Sequence, residues 1–263
     1  MSMNRAGASR RFPLRGAIVA ELVFKDSMDV APCGHLGGDL DVALSAWTST
    51  LGAGLPAEYL DERGLPSAER IRGLIRYLMR HRHGTPFEHG TLRFLIRVPI
   101  FVMREWHRHR IASYNEESGR YRTLEPVFYL PKRTRPAMKV EGWKAGRPKF
   151  EEMPERVWDA LVFNLKEAYK VGYDAYLENL ALGVDPGLAR ACLPVGIYSR
   201  CWVTINPRSM MNFLSLRTHE PEAGAVSYPL YEIEEAARLC EKVFAEHWPE
   251  THAAFCERGR VAP

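Results

Sequence analysis

The chain has 263 residues, 46% of them hydrophobic and 26% charged, with a formal net charge of +4. That length suits one large domain or two small ones with a substantial core. The mild charge favours anionic small ligands over a dedicated nucleic-acid binder, and no apolar run approaches the length of a membrane span. Cys33, Cys192, Cys201, Cys240 and Cys256 are odd in number and widely spaced, which argues against a disulfide framework or a zinc ribbon and for a reducing cytoplasm.

Residues 1–16 are polar and carry Arg5, Arg10, Arg11 and Arg15; they are expected to form a flexible arm, with a single domain over 17–263. The apolar run AIVAELVF, 17–24, has strand length and opens the fold. Residues 25–38 contain Pro32, Gly34, Gly37 and Gly38 and read as a loop, after which Asp39 is expected to cap a helix toward Trp47, with Ser49 just past it. A second stretch punctuated by Gly and Pro, 51–66, leads to Ser67, the expected N-cap of a helix reaching about Arg80. Ile71, Leu74, Ile75, Leu78 and Met79 repeat on that helix at core spacing.

Three histidines, His81, His83 and His89, fall within HRHGTPFEHG, 81–90. Gly84 and Pro86 fit a turn between elements better than a metal site, since no further ligand cluster accompanies the HxH spacing. In TLRFLIRV, 91–98, Leu92, Phe94, Ile96 and Val98 alternate with Arg93 and Arg97, the pattern of a half-buried strand. Pro99 suits the first position of a helix, PIFVMREWHRHR, whose inner face carries Ile100, Met103 and His107.

That helix delivers RHRIASYNEESGRY, 108–121, a stretch with cationic Arg108, His109, Arg110 and Arg120 and hardly an aliphatic residue to bury. Arginine forks match phosphate or carboxylate oxygens, and Asn115, Glu116 and Ser118 can read the edges of a planar heterocycle. The basic, Pro/Gly-rich segment 131–150 reads as an exposed loop or ribbon. Residues 155–182 form the longest helical pattern, with Val157, Leu161, Leu165, Ala168, Tyr169, Gly172 and Tyr176 on one face, suited to a core or a subunit interface. Pro186 begins a short helix carrying Arg190, and VGIYSRCWVTI, 195–205, reads as a strand. NPRSMMNFLSLR, 206–217, turns into a helix with Met210, Phe213, Leu214 and Leu216, and YEIEEAARLCEKVFAEHW, 231–248, is expected to be the last helix.

RHRIASYNEESGRY resembles, at every fixed position, the RHRxxSxNExSxRY motif of the flavin-dependent thymidylate synthases, also called thymidylate synthase complementing proteins. His83, Thr85, Pro86, Phe87, Glu88 and His89 resemble that family's HxTPFEH, NPRSMMNFLSLR resembles its NxRSxxNFxxLR, and Arg190 before CLP resembles the Arg that precedes its LP dipeptide. The chain departs from the pattern after Arg217: the family's His four residues on is Pro221 here, so His219 stays unassigned, and Glu105 stands where some members have Gln.

The resemblance implies an α+β fold, a central, largely antiparallel sheet flanked by helices with a helical subdomain, assembled as a homotetramer with FAD between subunits. It implies methylation of dUMP to dTMP, with 5,10-methylenetetrahydrofolate as carbon donor and NADPH-reduced FAD as hydride source. Carried over position by position, it places Ser49, His83, Thr85, Glu88, Arg108, His109, Arg110, Ile111, Asn115, Glu116, Asn206, Arg208 and Asn212 near FAD. It places Glu105, Arg108, Glu116, Ser118, Gly119, Arg120, Arg190 and Arg217 near the nucleotide, with Arg217 as the catalytic residue that activates the ring. No metal, nucleic acid or membrane partner is expected. Two rivals rank lower: a nucleic-acid binder using residues 131–149 and the HRHR run, and a metal-dependent nucleotide hydrolase using His81, His83 and His89.

Overall fold

The computed structural model describes residues 21–52 and 54–263. The arm expected over 1–16 and the first half of the 17–24 run lie outside the described residues. The remainder of that run supplies β1 (Val23–Lys25), which joins a small parallel pair rather than the main sheet. Residues 25–38, expected as a loop, contain β2 (Asp29–Leu36). Pro32 and Gly34 are tolerated because β2 is an edge strand and its register slips between them, with Gly34 at φ +118°.

α1 (Asp39–Leu51) contains Ser49 rather than ending before it, and α2 (Ala68–Arg80) starts at Ser67, whose hydroxyl accepts from the Arg70 amide as expected. β3 (Thr91–Pro99) buries Leu92, Phe94, Ile96 and Val98 completely. Pro99 closes this strand and caps α3 (Ile100–Trp106), so the helix stops two residues before the arginine-rich run. That run contains β4 (Ser113–Glu116). β5 (Val127–Tyr129) pairs in parallel with β1, and β6 (Pro136–Lys139) with β7 (Phe150–Glu152) makes an antiparallel ribbon where a loop or ribbon was expected.

α4 (Glu155–Ala181) buries Val162, Tyr169, Tyr173 and Tyr176. Of the predicted stripe only Tyr169 and Tyr176 are fully enclosed, while Ala168 is exposed. Gly172 lets the helix approach the chain at Pro194, whose ring a Cβ would meet at 2.7 Å. Then come α5 (Pro186–Ala189), with a 3-10 turn over Arg190–Cys192, β8 (Tyr198–Ile205) and α6 (Pro207–Arg217), whose Leu216 is exposed. α7 (Tyr231–His247) is not the last helix: buried Trp248 breaks it, and α8 (Pro249–Glu257) follows with Pro249 in its first turn.

Asp39 explains how α8 is held. It does not cap its own helix, whose N-cap is Gly38. Its carboxylate instead accepts from the Glu250 and Thr251 amides at 2.7 and 3.0 Å and from the Thr251 hydroxyl at 2.6 Å, capping α8 from across the molecule.

The four-stranded sheet runs β2-β3-β8-β4, antiparallel throughout. Its core joins the inner faces of β3 and β8 to α2, α3, α6, α7 and α8 through residues such as Phe94, Met103, Phe213, Phe244 and Phe255. A second cluster of Leu124, Phe128, Tyr169, Tyr173, Tyr176, Ala189 and Ile197 fastens α4 and α5 beside the β1/β5 pair. The Tyr173 hydroxyl donates to the Leu124 carbonyl at 2.8 Å and the Tyr176 hydroxyl accepts from the Leu124 amide at 3.2 Å, so both phenols are satisfied on burial.

Candidate functional site

The arginine-rich stretch begins where α3 ends. Trp106 is buried and stacks on Phe213 of α6, with ring centroids 5.0 Å apart, so α3 stays anchored while the chain turns outward. Tyr114 of β4 pins that turn by donating from one hydroxyl to the carbonyls of Trp106 and His109, at 3.2 and 2.7 Å. Beyond it the edge strand leaves Asn115 and Glu116 exposed. A cavity of about 470 Å³ opens here, lined by Asn115, Glu116, Ser118, Tyr121 and Trp202 among others.

The Ser118–Gly119–Arg120 turn closes one end. The Ser118 hydroxyl accepts from the Arg120 amide at 3.3 Å. Gly119 is buried, and a Cβ there would stand 3.1 Å from both the Arg190 Cδ and a Leu124 methyl; glycine lets the Arg190 side chain lie across the turn. A Cβ on Gly187 of α5 would lie 3.6 Å from Arg120, which places the Arg120 side chain against the short helix that leads into Arg190. Ser118, Gly119, Arg120 and Arg190 are therefore brought together. The neighbouring Arg97, Arg122 and Arg200 share Glu117 and Glu125. Among the described residues Arg108, Arg110, Arg120 and Arg190 have no carboxylate within ion-pair distance, so their charge is available to an anion.

Arg217 ends α6, with only 15% of its side chain exposed. Its Nη1 donates to the Glu105 carboxylate at 2.5 Å, its Nη2 to the Glu105 carbonyl at 3.2 Å, and its Nε to His109 Nε2 at 2.9 Å. Because the guanidinium can only donate, His109 must accept through Nε2 and carry its proton on Nδ1. Burial, then the adjacent guanidinium, pull the His109 pKa down to about 4. The imidazole is thus neutral near pH 7, and Glu105 serves here as the carboxylate partner of Arg217.

A third group surrounds the 3-10 turn Thr85–Glu88 and the start of α6. Glu88 meets Arg208 at 2.5 Å, and a Cβ on Gly84 would collide with the Arg208 guanidinium. Asn206 caps α6 by accepting from the Ser209 amide at 2.8 Å, and the exposed Asn212 donates to the Arg208 carbonyl at 3.2 Å. Ser49 lies one turn beyond Ser45, whose hydroxyl faces the Pro86 carbonyl at 3.5 Å. His83 is exposed and packs its ring near Tyr77 and His81 rather than against Glu88, and Ile111 is 73% exposed.

Sequence reasoning missed Tyr114, Trp202 and Phe213 as parts of the site. The strand alternation carried a signal for Trp202: it points away from buried Cys201 and Val203 and is 46% exposed. Elsewhere, Glu241, His252 and Cys256 lie within ligand distance of one another. Arg260 occupies that centre as the cation, 2.7 Å from Glu241 and 3.6 Å from the Cys256 sulfur.

The fold is a mixed α/β one, with an antiparallel sheet whose edge strand β4 sets Asn115 and Glu116 beside arginines without carboxylate partners among the described residues. The sequence model of the thymidylate synthase complementing proteins matches residues 35–250. The chain is 45% identical over 246 residues to a flavin-dependent thymidylate synthase of Tropheryma whipplei, covering 93% of this chain and 99% of that one. A flavin-dependent thymidylate synthase of Streptomyces coelicolor is 46% identical over 226 residues, covering 86% and 89% of the two chains. Among solved structures, the UMP/dUMP methylase PolB of Streptomyces cacaoi bound with 5-Br dUMP superposes with a TM-score of 0.83 at 41% identity, over 92% of this chain and 100% of that one. The same methylase bound with 5-Br UMP gives a TM-score of 0.82 at 40% identity, over 92% and 99%. The chain belongs to the thymidylate synthase complementing protein family, the flavin-dependent thymidylate synthases.

Proposed function

We propose that this enzyme converts dUMP to dTMP, taking one carbon from 5,10-methylenetetrahydrofolate and reducing equivalents from NADPH through FAD. The observation that carries this reading is the cradle of Ser118, Gly119, Arg120 and Arg190 beside the cavity lined by Asn115 and Glu116. A phosphate fits the Gly119 amide, the serine hydroxyl and two arginines without carboxylate partners, while the adjoining polar edge suits a pyrimidine.

The donor set also suits FAD. Arg108 and Arg110 are exposed and free of carboxylates among the described residues, and β4 is an edge strand, which leaves backbone groups for a planar ring. Glu88, Arg208 and Asn212 are linked by direct contacts at the start of α6, where Asn206 is the cap, and this polar surface suits the rest of the dinucleotide. When bound, the flavin supplies the hydride that turns the transferred methylene into a methyl group. The folate then need not be oxidised, and tetrahydrofolate is the folate product.

The protein's own part is placement and charge. Arg217, aimed by Glu105 and by neutral His109, stabilises negative charge developing on the pyrimidine carbonyl as the C5 carbon becomes the nucleophile. Ser118 binds rather than attacks: its hydroxyl is engaged by the Arg120 amide, and no general base is among its contacts. Burial drives the Cys201 thiol up to about 11 and Cys240 higher still, so neither supplies a thiolate. The three groups of residues are held by separate contacts in one chain, in keeping with sites completed between subunits of a homotetramer.

The test is product analysis with purified enzyme, FAD, NADPH and 5,10-methylenetetrahydrofolate, with dUMP or UMP as acceptor. Formation of dTMP with tetrahydrofolate, dependent on FAD, is the expected result. Methylation of UMP alone would move the substrate to the ribonucleotide, and dTMP with dihydrofolate would overturn the flavin route.

A further inference from the structure

Residues 258–263 lie beyond the span matched by the family model and pass back over α6. Gly259 and Arg260 both take left-handed backbone angles, φ +67° and +57°, which reverse the chain as it leaves α8. Gly259 has a second constraint, since a Cβ there would stand 2.8 Å from the Gly224 amide, which donates to the Gly259 carbonyl at the same distance. A non-glycine residue held at positive φ needs local contacts that compensate for it.

Arg260 has such contacts, and they lead to the end of α6 that carries Arg217. The residue is 9% exposed. Its Nη1 donates to Glu241 at 2.7 Å and its Nη2 to the Thr218 hydroxyl at 3.0 Å, while its carbonyl accepts from the Ser215 hydroxyl at 2.7 Å. Arg217 is thus bracketed by two residues tied to Arg260. Three residues further on, the Pro263 carbonyl accepts from Arg208 Nε at 2.9 Å on the first turn of α6, opposite the contact between Arg208 and Glu88.

We propose that this segment is a clamp on α6 and that Arg260 is a positioning residue for the reaction. Arg260 fixes the last turn of the helix, hence the aim of the Arg217 guanidinium, and Pro263 fixes the rotamer of Arg208. The inference rests on the functional reading given above for Arg208 and Arg217. An arginine is required at 260 because one planar fork must reach Glu241 and Thr218 together, which a lysine ammonium on a flexible stem does less well. Preorganisation of this kind acts on rate rather than on fold alone, because small misplacements of a reacting group cost up to about 100-fold in turnover.

The experiment compares the parent chain with Arg260→Gln, Arg260→Lys, Ser215→Ala and a chain stopped after Arg260. Each is assayed well below its melting midpoint for kcat, for KM toward dUMP and for FAD affinity by flavin fluorescence. Amide hydrogen exchange over 214–218 is followed in parallel. Arg260→Gln is expected to lower kcat by roughly 10- to 100-fold with a smaller change in KM, Arg260→Lys to restore part of it, and exchange at the end of α6 to quicken. The shortened chain is expected to lose mainly FAD affinity, by roughly tenfold, because it frees Arg208. Folded variants with parental kcat, FAD affinity and exchange rates would overturn the clamp. Ser215→Ala removes one hydroxyl and keeps the question answerable if the Arg260 variants do not fold. If the parent itself binds no FAD and makes no dTMP, the functional reading fails, and the exchange rates still decide the clamp.

Discussion

Arg217 shows how little of a residue's role lies in its own identity. A guanidinium at the end of a helix is ordinary; one held at 2.5 Å by Glu105 and at 2.9 Å by a neutral His109 has a fixed direction before any ligand arrives. Replacement by lysine keeps the charge but loses the planar fork that reaches the Glu105 carboxylate, the Glu105 carbonyl and His109 at once. Arg217→Lys is therefore expected to lower kcat by about 10²- to 10³-fold, with FAD affinity unchanged, measured by steady-state kinetics and flavin titration. An equal loss in FAD affinity would instead place Arg217 at the cofactor. The contiguous motif singled out Asn115, Glu116 and Ser118 in the sequence, and the structure gathers these candidates around one cavity. The grip of Tyr114 on the Trp106 and His109 carbonyls was not legible there, because it depends on the turn closing back on β4.

Periodic elements were legible and irregular ones were not. β3, β8 and α2 alternate or repeat cleanly because each has one buried face. β2 was hidden because an edge strand can hold the proline and the bulge glycine that usually mark a loop. The separate α8 was hidden because its capping carboxylate, Asp39, lies 211 residues away and only Pro249 marks its start locally. That long-range cap makes a prediction of its own. Asp39→Ala leaves two helix-start amides and the buried Thr251 hydroxyl without their acceptor, and is expected to cost about 2 kcal/mol in urea unfolding. Asp39→Asn, which keeps an acceptor oxygen, should lose less. A change under about 0.5 kcal/mol for the alanine variant would mean that water replaces the cap.

At the scale of the whole molecule, His109, His252 and Glu241 are among the groups that tie stability to pH. His109, depressed from 6.5 to about 4 by burial and by Arg217, binds its proton more readily when unfolded, so its contribution is lost as pH falls from 6.5 toward 4. His252, raised from 6.5 to about 9 by its hydrogen bonds to Cys256 and Glu241, binds its proton more readily when folded, so stability is lost as pH rises from 6.5 toward 9. Burial of Glu241 opposes its charge, but His252 and Arg260 outweigh it and bring the carboxyl to about 2, adding a loss as pH falls below 4.5. The melting temperature is expected to peak near pH 6.5, with His109→Gln flattening the acid limb and His252→Gln the alkaline one. A steady rise from pH 5 to 9 would contradict this assignment.

Reductive methylation of dUMP through a bound flavin is read most directly in the visible spectrum of the FAD-saturated enzyme, followed without oxygen. Addition of NADPH should bleach the flavin band, and the oxidised band should return only when dUMP and 5,10-methylenetetrahydrofolate are both added, in step with dTMP. Return of the band with either compound alone, or bleaching that persists with both present, would rule out that reaction.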